Sequence, residues 1–475
     1  MKLFVKILTP FLLFTACTKD ISKYNEQTKK PASVPAATLF SNAVRNISDG
    51  LANASVNVNV FRFTVKHWSM ATYQDEAQYD FTVRAIPDAW WARMYRDVLI
   101  DLKESSKLVE ATTTLDENVK ANQLAIIDLM QVYTYSILVN TFGNIPYSQA
   151  LDNSIIFPTY DDAKTIYTDL LARIGTDIGK LNASADGFSS TQDLICGGST
   201  SKWIKFAHSL RIRLGMTLAD VDNTAAKAAV EASAGSAIAS ASDNAKLVYL
   251  SASPNTNPLY ADIVLGGRND YLAAEDLMNP LINMSDPRKS LYFGTNNDGG
   301  YAGGVVGKVN TASEMSKPSS IVAAADAPYL FLDYVETEFY LAEAVERGYS
   351  VSGTAAEHYT NAIKASIMYW GATEAQANTY LERSDVAYAT ATGTWKQKIG
   401  FQKWIALYNR PYEAWTELRR FDYPVLTLPV GAVSGFPNRF TYPANEQQTN
   451  GGSYTSAASA IGGDKVETKL FWDVN

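Results

Sequence analysis

Two groups of side chains in this 475-residue chain have the chemistry to hold a ligand. The first is a run of aromatics, Trp68, Tyr73 and Tyr79, continuing to Trp90-Trp91. Such rings offer flat apolar faces to a sugar's C–H surface or to another ring, and their N–H or O–H groups serve hydrogen bonds at the edge. The second is the glycine-rich stretch Asn296-Asn-Asp-Gly-Gly-Tyr301, which supplies an amide, a carboxylate and a phenol. Amide and carboxylate groups take up hydroxyls. The expected ligand-binding residues are therefore Trp68, Tyr73, Tyr79, Asn296, Asp298 and Tyr301. Core packing competes for the same aromatics, Trp90 and Trp91 at a helix start above all, so only part of the first group is expected to face solvent.

Covalent and metal chemistry finds little to work with. The three histidines, His67, His208 and His358, lie in separate segments, the last two within helical patterns. Neither H-E-x-x-H nor G-x-S-x-G occurs. The stretch Ala302-Gly-Gly-Val-Val-Gly307-Lys308-Val309 grazes the dinucleotide and phosphate-loop patterns. It has Ala302 where both need glycine, and Val309 where the phosphate loop needs Ser or Thr. Asn296–Gly299 hints at a calcium loop, which would need its bidentate Glu where Val305 stands. Paired carboxylates for glycoside hydrolysis carry no weight among 49 acidic residues, because some pair is always available. No catalytic residue, metal or cofactor is expected, and the chain is read as a binding protein rather than an enzyme. A net charge of −8 argues against a nucleic-acid partner, since nothing here would neutralise a row of phosphates.

The elements that must position these groups are helices. In Tyr329–Gly371 a first helix ends at Gly348, a left-handed cap, and Ser350–Gly353 turns the chain. The second helix sets Ala355, Tyr359 and Ala362 on one stripe, the spacing of a tetratricopeptide unit, although an ordinary αα-hairpin fits this stretch equally well. Asp116–Phe142 is the longest clean helix, with Asp116 as N-cap and Gly143 as terminator, and it is apolar nearly all round beyond Leu124. Thr159–Leu181 repeats the stripe with Ala163, Tyr167 and Leu170, and Ser201–Leu218 with Thr224–Ser240 makes a further pair. Helix pairs near 117–181, 201–240 and 329–371 predict an all-α, repeat-type scaffold. Further helices are expected over Thr38–Ile47, Trp90–Val109 and near 374–384, 394–409 and 411–420. Residues 243–328 lose helical periodicity and are rich in Asn, Gly, Pro and Ser, as befits ligand loops, and the tail 424–475 is rich in turns.

The N-terminus has a different purpose. Residues 1–16 carry Lys2 and Lys6 before an apolar run that ends Phe14-Thr-Ala-Cys17, an export leader resembling a bacterial lipobox with Phe14 in place of the usual Leu. Lipidation is expected on Cys17, which leaves Cys196 without a disulfide partner. Residues 17–37 then form a polar tether with Pro31 and Pro35, and 38–475 a single domain. No later run is read as long and apolar enough to span a bilayer, so the protein is anchored rather than spanning.

Several stretches, taken together and in order, resemble the SusD/RagB family of outer-membrane nutrient-binding lipoproteins, in its SusD-like branch. They are the leader, Phe142-Gly-Asn-Ile-Pro-Tyr147, Trp203–Arg213, Ser285-Asp-Pro-Arg288, Phe339–Ala344, Gln402–Ile405, Ala414–Arg420 and Pro437–Pro443. The resemblance implies tetratricopeptide-like pairs supporting an irregular ligand-binding half. It also implies an oligosaccharide ligand, or a peptide in some relatives, and a SusC-like TonB-dependent transporter as partner at the cell exterior. The shared motifs read as structural: Arg419 and Arg420, beside Glu417, are expected to bind carbonyls and carboxylates within the fold. A lipid-anchored glycoside hydrolase and a helical-repeat adaptor for protein partners are the competing readings.

Overall fold

Asp116 caps its helix as its position predicts. Its carboxylate accepts from the backbone N–H of Asn118 at 2.9 Å and of Val119 at 3.3 Å, and Gly143, at φ 87°, ends the helix Glu117–Phe142. The computed structural model describes residues 34–54 and 60–474. Cys17, the leader and most of the tether lie outside the described residues. The helix Glu117–Phe142 does meet the length and hydropathy of a membrane span, contrary to the sequence reading, yet 83% of its most apolar window is buried inside the protein. It is the core helix of the scaffold.

The architecture is all-α, with helix pairs packed in series. Glu117–Phe142 lies against Ala163–Lys180, which meets Thr200–Thr217, which packs on Asn223–Glu231 and on Tyr334–Glu346. The hairpin of Tyr334–Glu346 and Ala355–Tyr369 is the most intimate pair. Its stripe is buried throughout: Ala355, Tyr359 and Ala362 face the first helix, where Phe339 meets the Tyr359 ring edge-on at 6.4 Å. Thr354 and Glu357 close a capping box at the second helix's start, and Gly348, at φ 74°, turns the chain after the first. A pair not singled out in the sequence, Trp395–Ala406 with Pro411–Phe421, completes the series.

Several boundaries move. The helix expected over Thr224–Ser240 stops at Glu231, where the Ser- and Gly-containing run 233–236 goes over to a single 3₁₀ turn. Trp90–Val109 is part of a longer helical run, Ile86–Ala92 and Ile100–Ala111 joined by the π-helical segment Arg93–Leu99. The region 243–328 is less irregular than its composition suggests. It holds the strands β2 (Ala245–Leu247) and β3 (Tyr271–Ala273), which pair antiparallel with β4 (Tyr329–Leu332) and β1 (Trp68–Met70) respectively. Some of its glycines serve close packing: a Cβ on Gly304 would stand 2.7 Å from Ser69 Oγ. The tail carries two short helices, Ala444–Thr449 and Gly451–Ala460.

Buried charges lock the helix pairs together. Arg213 reaches Glu336 with Nε at 2.8 Å and Nη2 at 2.7 Å, and Arg410 joins the same carboxylate at 2.6 Å. Arg420 bonds Glu417 and Glu343, each at 2.7 Å, while Lys403 lies 3.0 Å from Glu417. Arg419 donates to the carbonyls of Asn140 and Asn438. The arginine-rich motif is internal wiring, as its sequence suggests. Because each charge is buried, removing one partner strands another, at a cost of about 3–5 kcal/mol.

Candidate ligand cleft

β1 and β3 form a two-stranded ribbon in the register Trp68↔Ala273, Ser69↔Leu272 and Met70↔Tyr271, extended by Ala71 N–H to the Asp270 carbonyl at 2.9 Å. Two segments meet beyond the Met70–Tyr271 end: the chain leaving β1 and the chain entering β3. Between them opens a cavity of about 580 Å³, lined by Thr72, Tyr73, Arg84, Arg268, Asn269 and Asp270 with the Gly266-Gly267 backbone. Tyr73 is 60% exposed and sits at φ 58°, a left-handed conformation unusual for a bulky residue. Ala85, next to the cleft residue Arg84, shares that conformation at φ 49°.

Two arginines flank the Tyr73 ring, with Cζ atoms 5.7 Å (Arg84) and 5.9 Å (Arg268) from its centroid. A flat stack is far closer, as at Arg419 over Trp415 (3.5 Å), so the Tyr73 ring stays largely open to solvent. Each guanidinium is held from behind by carboxylates. Arg268 donates from Nε and Nη2 to the two oxygens of Asp270, at 3.0 and 2.7 Å, and Thr72 Oγ1 adds a bond to the same group at 3.2 Å. Arg84 donates from Nη2 to Asp75 at 3.1 Å and from Nε to the buried Glu76. Burial alone would push the Asp270 carboxyl up, but the hydrogen bonds and charge of Arg268 outweigh it and hold the group below the usual carboxylate range. The arrangement can stack a ring on Tyr73 and hydrogen-bond polar atoms around it.

The residues expected from sequence part company here. Tyr73 lines the cleft. Trp68 does not: it is fully buried, its indole N–H donates to Tyr408 Oη at 2.9 Å, and Arg62 lies 4.6 Å from its ring centre. Both faces of β1 are covered, so alternation along the strand brings no aromatic to the surface. Tyr79 is also core, 2% exposed and edge-on to Phe436, and burial pushes its phenol well up. Asn296 spends its amide within the fold, donating to the Glu314 carbonyl at 2.8 Å and accepting from the backbone N–H of Gly300 in its own turn at 2.9 Å. Asp298 is exposed at that turn's tip, and Tyr301, half-buried, meets Lys289 at 4.9 Å; none of these three lines the cleft. Arg84, Arg268 and Asp270 were not singled out from sequence. The signal that could have found the last two is Gly266-Gly-Arg-Asn-Asp270, a turn with a charged pair two positions apart inside the loop-rich region.

The histidines do not converge. His67 is buried, bonded to the Trp404 carbonyl, and pushed down to about 3 by burial and by Arg62. His358 bridges Glu338 and the Ser352 carbonyl within the helix hairpin. Among the described residues no group of three or more His, Cys, Asp or Glu is placed to hold a metal ion.

Stacked helix pairs that flank a two-stranded ribbon, whose end opens into a cleft, define a class: an all-α helix-pair scaffold that carries long loops. The chain belongs to the SusD-like family, described as "starch-binding associating with outer membrane", whose model matches residues 27–443. Similar solved structures agree on the fold. A chitin-binding protein shares 25% identity at a TM-score of 0.80, over 93% of this chain and 100% of that one. A chitin-binding SusD homolog from Flavobacterium johnsoniae shares 22% at 0.78, over 93% and 99%. A SusD homolog from Bacteroides uniformis shares 24% at 0.76, over 93% and 100%. A search of curated proteins returned no significant match.

Proposed function

We propose that this protein is a lipoprotein anchored through Cys17 at the outer face of the outer membrane. There it captures oligosaccharide at the Tyr73 cleft and passes it, unaltered, to a SusC-like TonB-dependent transporter. The observation that carries the reading is the exposed Tyr73 ring, set between two anchored guanidiniums in an open cavity of about 580 Å³. Sugars ask for this combination: a flat apolar face under the C–H side of the pyranose, and fixed donors around it for the oxygens. The family's description and the chitin-binding relatives support a glycan ligand and outer-membrane association. The anchor rests on the lipobox-like leader.

The test is calorimetric titration of the chain starting after Cys17 against oligosaccharides and peptides, with product analysis on the same samples. Binding of a glycan class that Tyr73→Ala weakens, without new products, is the expected result. Shortened products would replace this reading with a hydrolase. Peptide binding with silence across the sugars would make the protein a peptide-uptake member of its family.

A further inference from the structure

Asp270 takes Arg268 from the side, through Nε and Nη2, and Glu76 and Asp75 take Arg84 through the same two nitrogens. A guanidinium has a second edge, made by Nη1 and the remaining hydrogen of Nη2. In both arginines that end-on edge meets no protein acceptor among the described residues, and both residues line the cavity. Its parallel N–H groups match the two oxygens of a carboxylate or sulfate. The edges are also held in place: carboxylates orient each guanidinium, and Arg268 packs 4.4 Å from the Tyr271 ring centre as well. The counter-charges are mostly withdrawn from the cleft. The Glu76 side chain is 1% exposed and that of Asp270 10%, while Asp75, at 47%, is not among the lining residues. They cancel much of the long-range pull on an anion and leave the short-range donors intact. Both Cζ atoms flank the one exposed ring, at 5.7 and 5.9 Å from its centre. A pyranose stacked on Tyr73 carries its equatorial substituents outward, towards groups so placed.

We infer that the cleft takes an acidic oligosaccharide, with the end-on edges of Arg84 and Arg268 holding the carboxylate or sulfate of a sugar stacked on Tyr73. The inference rests on the cleft being the glycan site proposed above and adds the charge of the ligand. Starch and chitin, named for the family and for two relatives, carry no such group, so the ligand sets this chain apart from them.

The experiment titrates the chain starting after Cys17 with oligogalacturonates and their methyl esters, and with κ-carrageenan oligomers with and without their sulfates. Oligomers of glucose and N-acetylglucosamine serve as further neutral ligands. At least one acidic form should bind roughly tenfold more tightly than its own neutral form, the effect of one charge-assisted contact. Which acid binds identifies the anion as carboxylate or sulfate. Arg84→Lys and Arg268→Lys keep the charge against the carboxylates but lose the paired edge, and each should cut that ratio severalfold. Urea midpoints check that both variants fold; where one does not, the wild-type ratio decides. Neutral oligomers binding as tightly as acidic ones, or a ratio unmoved in both folded variants, would overturn the inference and leave the glycan reading standing. Silence from every oligomer would remove that reading, and the inference with it.

Discussion

Trp68 and Tyr73 stand five positions apart in one aromatic run, and removing each side chain should separate them completely. Trp68 is fully buried, so Trp68→Ala opens a cavity in the core, a change that costs ~3–5 kcal/mol. The lost indole bond to Tyr408 adds about 1 kcal/mol. It also uncovers Arg62, whose buried guanidinium bonds to carbonyl and amide oxygens. Against a total stability of roughly 5–15 kcal/mol this is a large share, and the urea midpoint should fall steeply. Tyr73 behaves oppositely. Its ring is mostly exposed, and its two contacts with arginine are worth only ~0.5 kcal/mol each at such a surface. Tyr73→Gly also relieves the left-handed backbone at φ 58°, recovering about 1 kcal/mol. The midpoint should therefore stay near that of the wild type while glycan affinity falls roughly 30-fold, the loss of a ~2 kcal/mol aromatic anchor. Urea unfolding and calorimetry on the same preparations test both halves. A Trp68→Ala protein of normal stability that has lost its ligand, or a folded Tyr73→Gly protein that binds as before, would refute the placement of the site.

Two titrations give independent checks on the scaffold. Burial pushes the Glu336 carboxyl up, but Arg213 and Arg410 outweigh it and bring the group down to about 2. A depressed folded value means that its contribution is complete above the unfolded carboxylate range near 4.3 and is lost as pH falls towards 2, an amount of about 3 kcal/mol. Glu336→Gln should be markedly less stable at pH 7, and the gap should narrow to about half in urea titrations repeated towards pH 3; a gap independent of pH would contradict the pairing. At His358, burial lowers the proton affinity, yet the bonds to Glu338 and the Ser352 carbonyl prevail and raise it above the ordinary value. Its contribution is therefore present below about 6.5 and fades as pH rises through the raised folded value. Thermal midpoints measured from pH 6 to 9 should show this decline in the wild type and lose it in His358→Gln.

What the sequence made legible was local. Asp116 and Gly143 bound their helix because a cap and a left-handed terminator act within a few residues, and the Ala355–Tyr359–Ala362 stripe needs only helical geometry to declare its buried face. Arg419 and Arg420 were readable as internal because, the Asn438 carbonyl apart, the carbonyls and carboxylates they serve belong to packed helices. The aromatic loop was not readable in this way. Trp68 is core because Tyr408, 340 positions away, closes over it, and no periodicity in an irregular segment announces a partner so distant. The same distance hid the arginines. Arg84 and Arg268 become neighbours of one ring only because β1 pairs with β3 across some 200 positions.

That pairing makes the ribbon register the condition for the site. With Met70 opposite Tyr271, the Ala71 N–H meets the Asp270 carbonyl, and this bond sets Thr72 and Tyr73 beside the Arg268–Asp270 pair. A slip of one residue would exchange the two buried faces on which Trp68 and Met70 pack and carry Tyr73 away from both guanidiniums, so the packing of Trp68 and the exposure of Tyr73 depend on the same register. The buried aromatic of the run is thus the one that aims the exposed aromatic proposed to bind. The turn Gly266–Asp270 then brings the Arg268–Asp270 pair to the cleft on the β3 side of the ribbon.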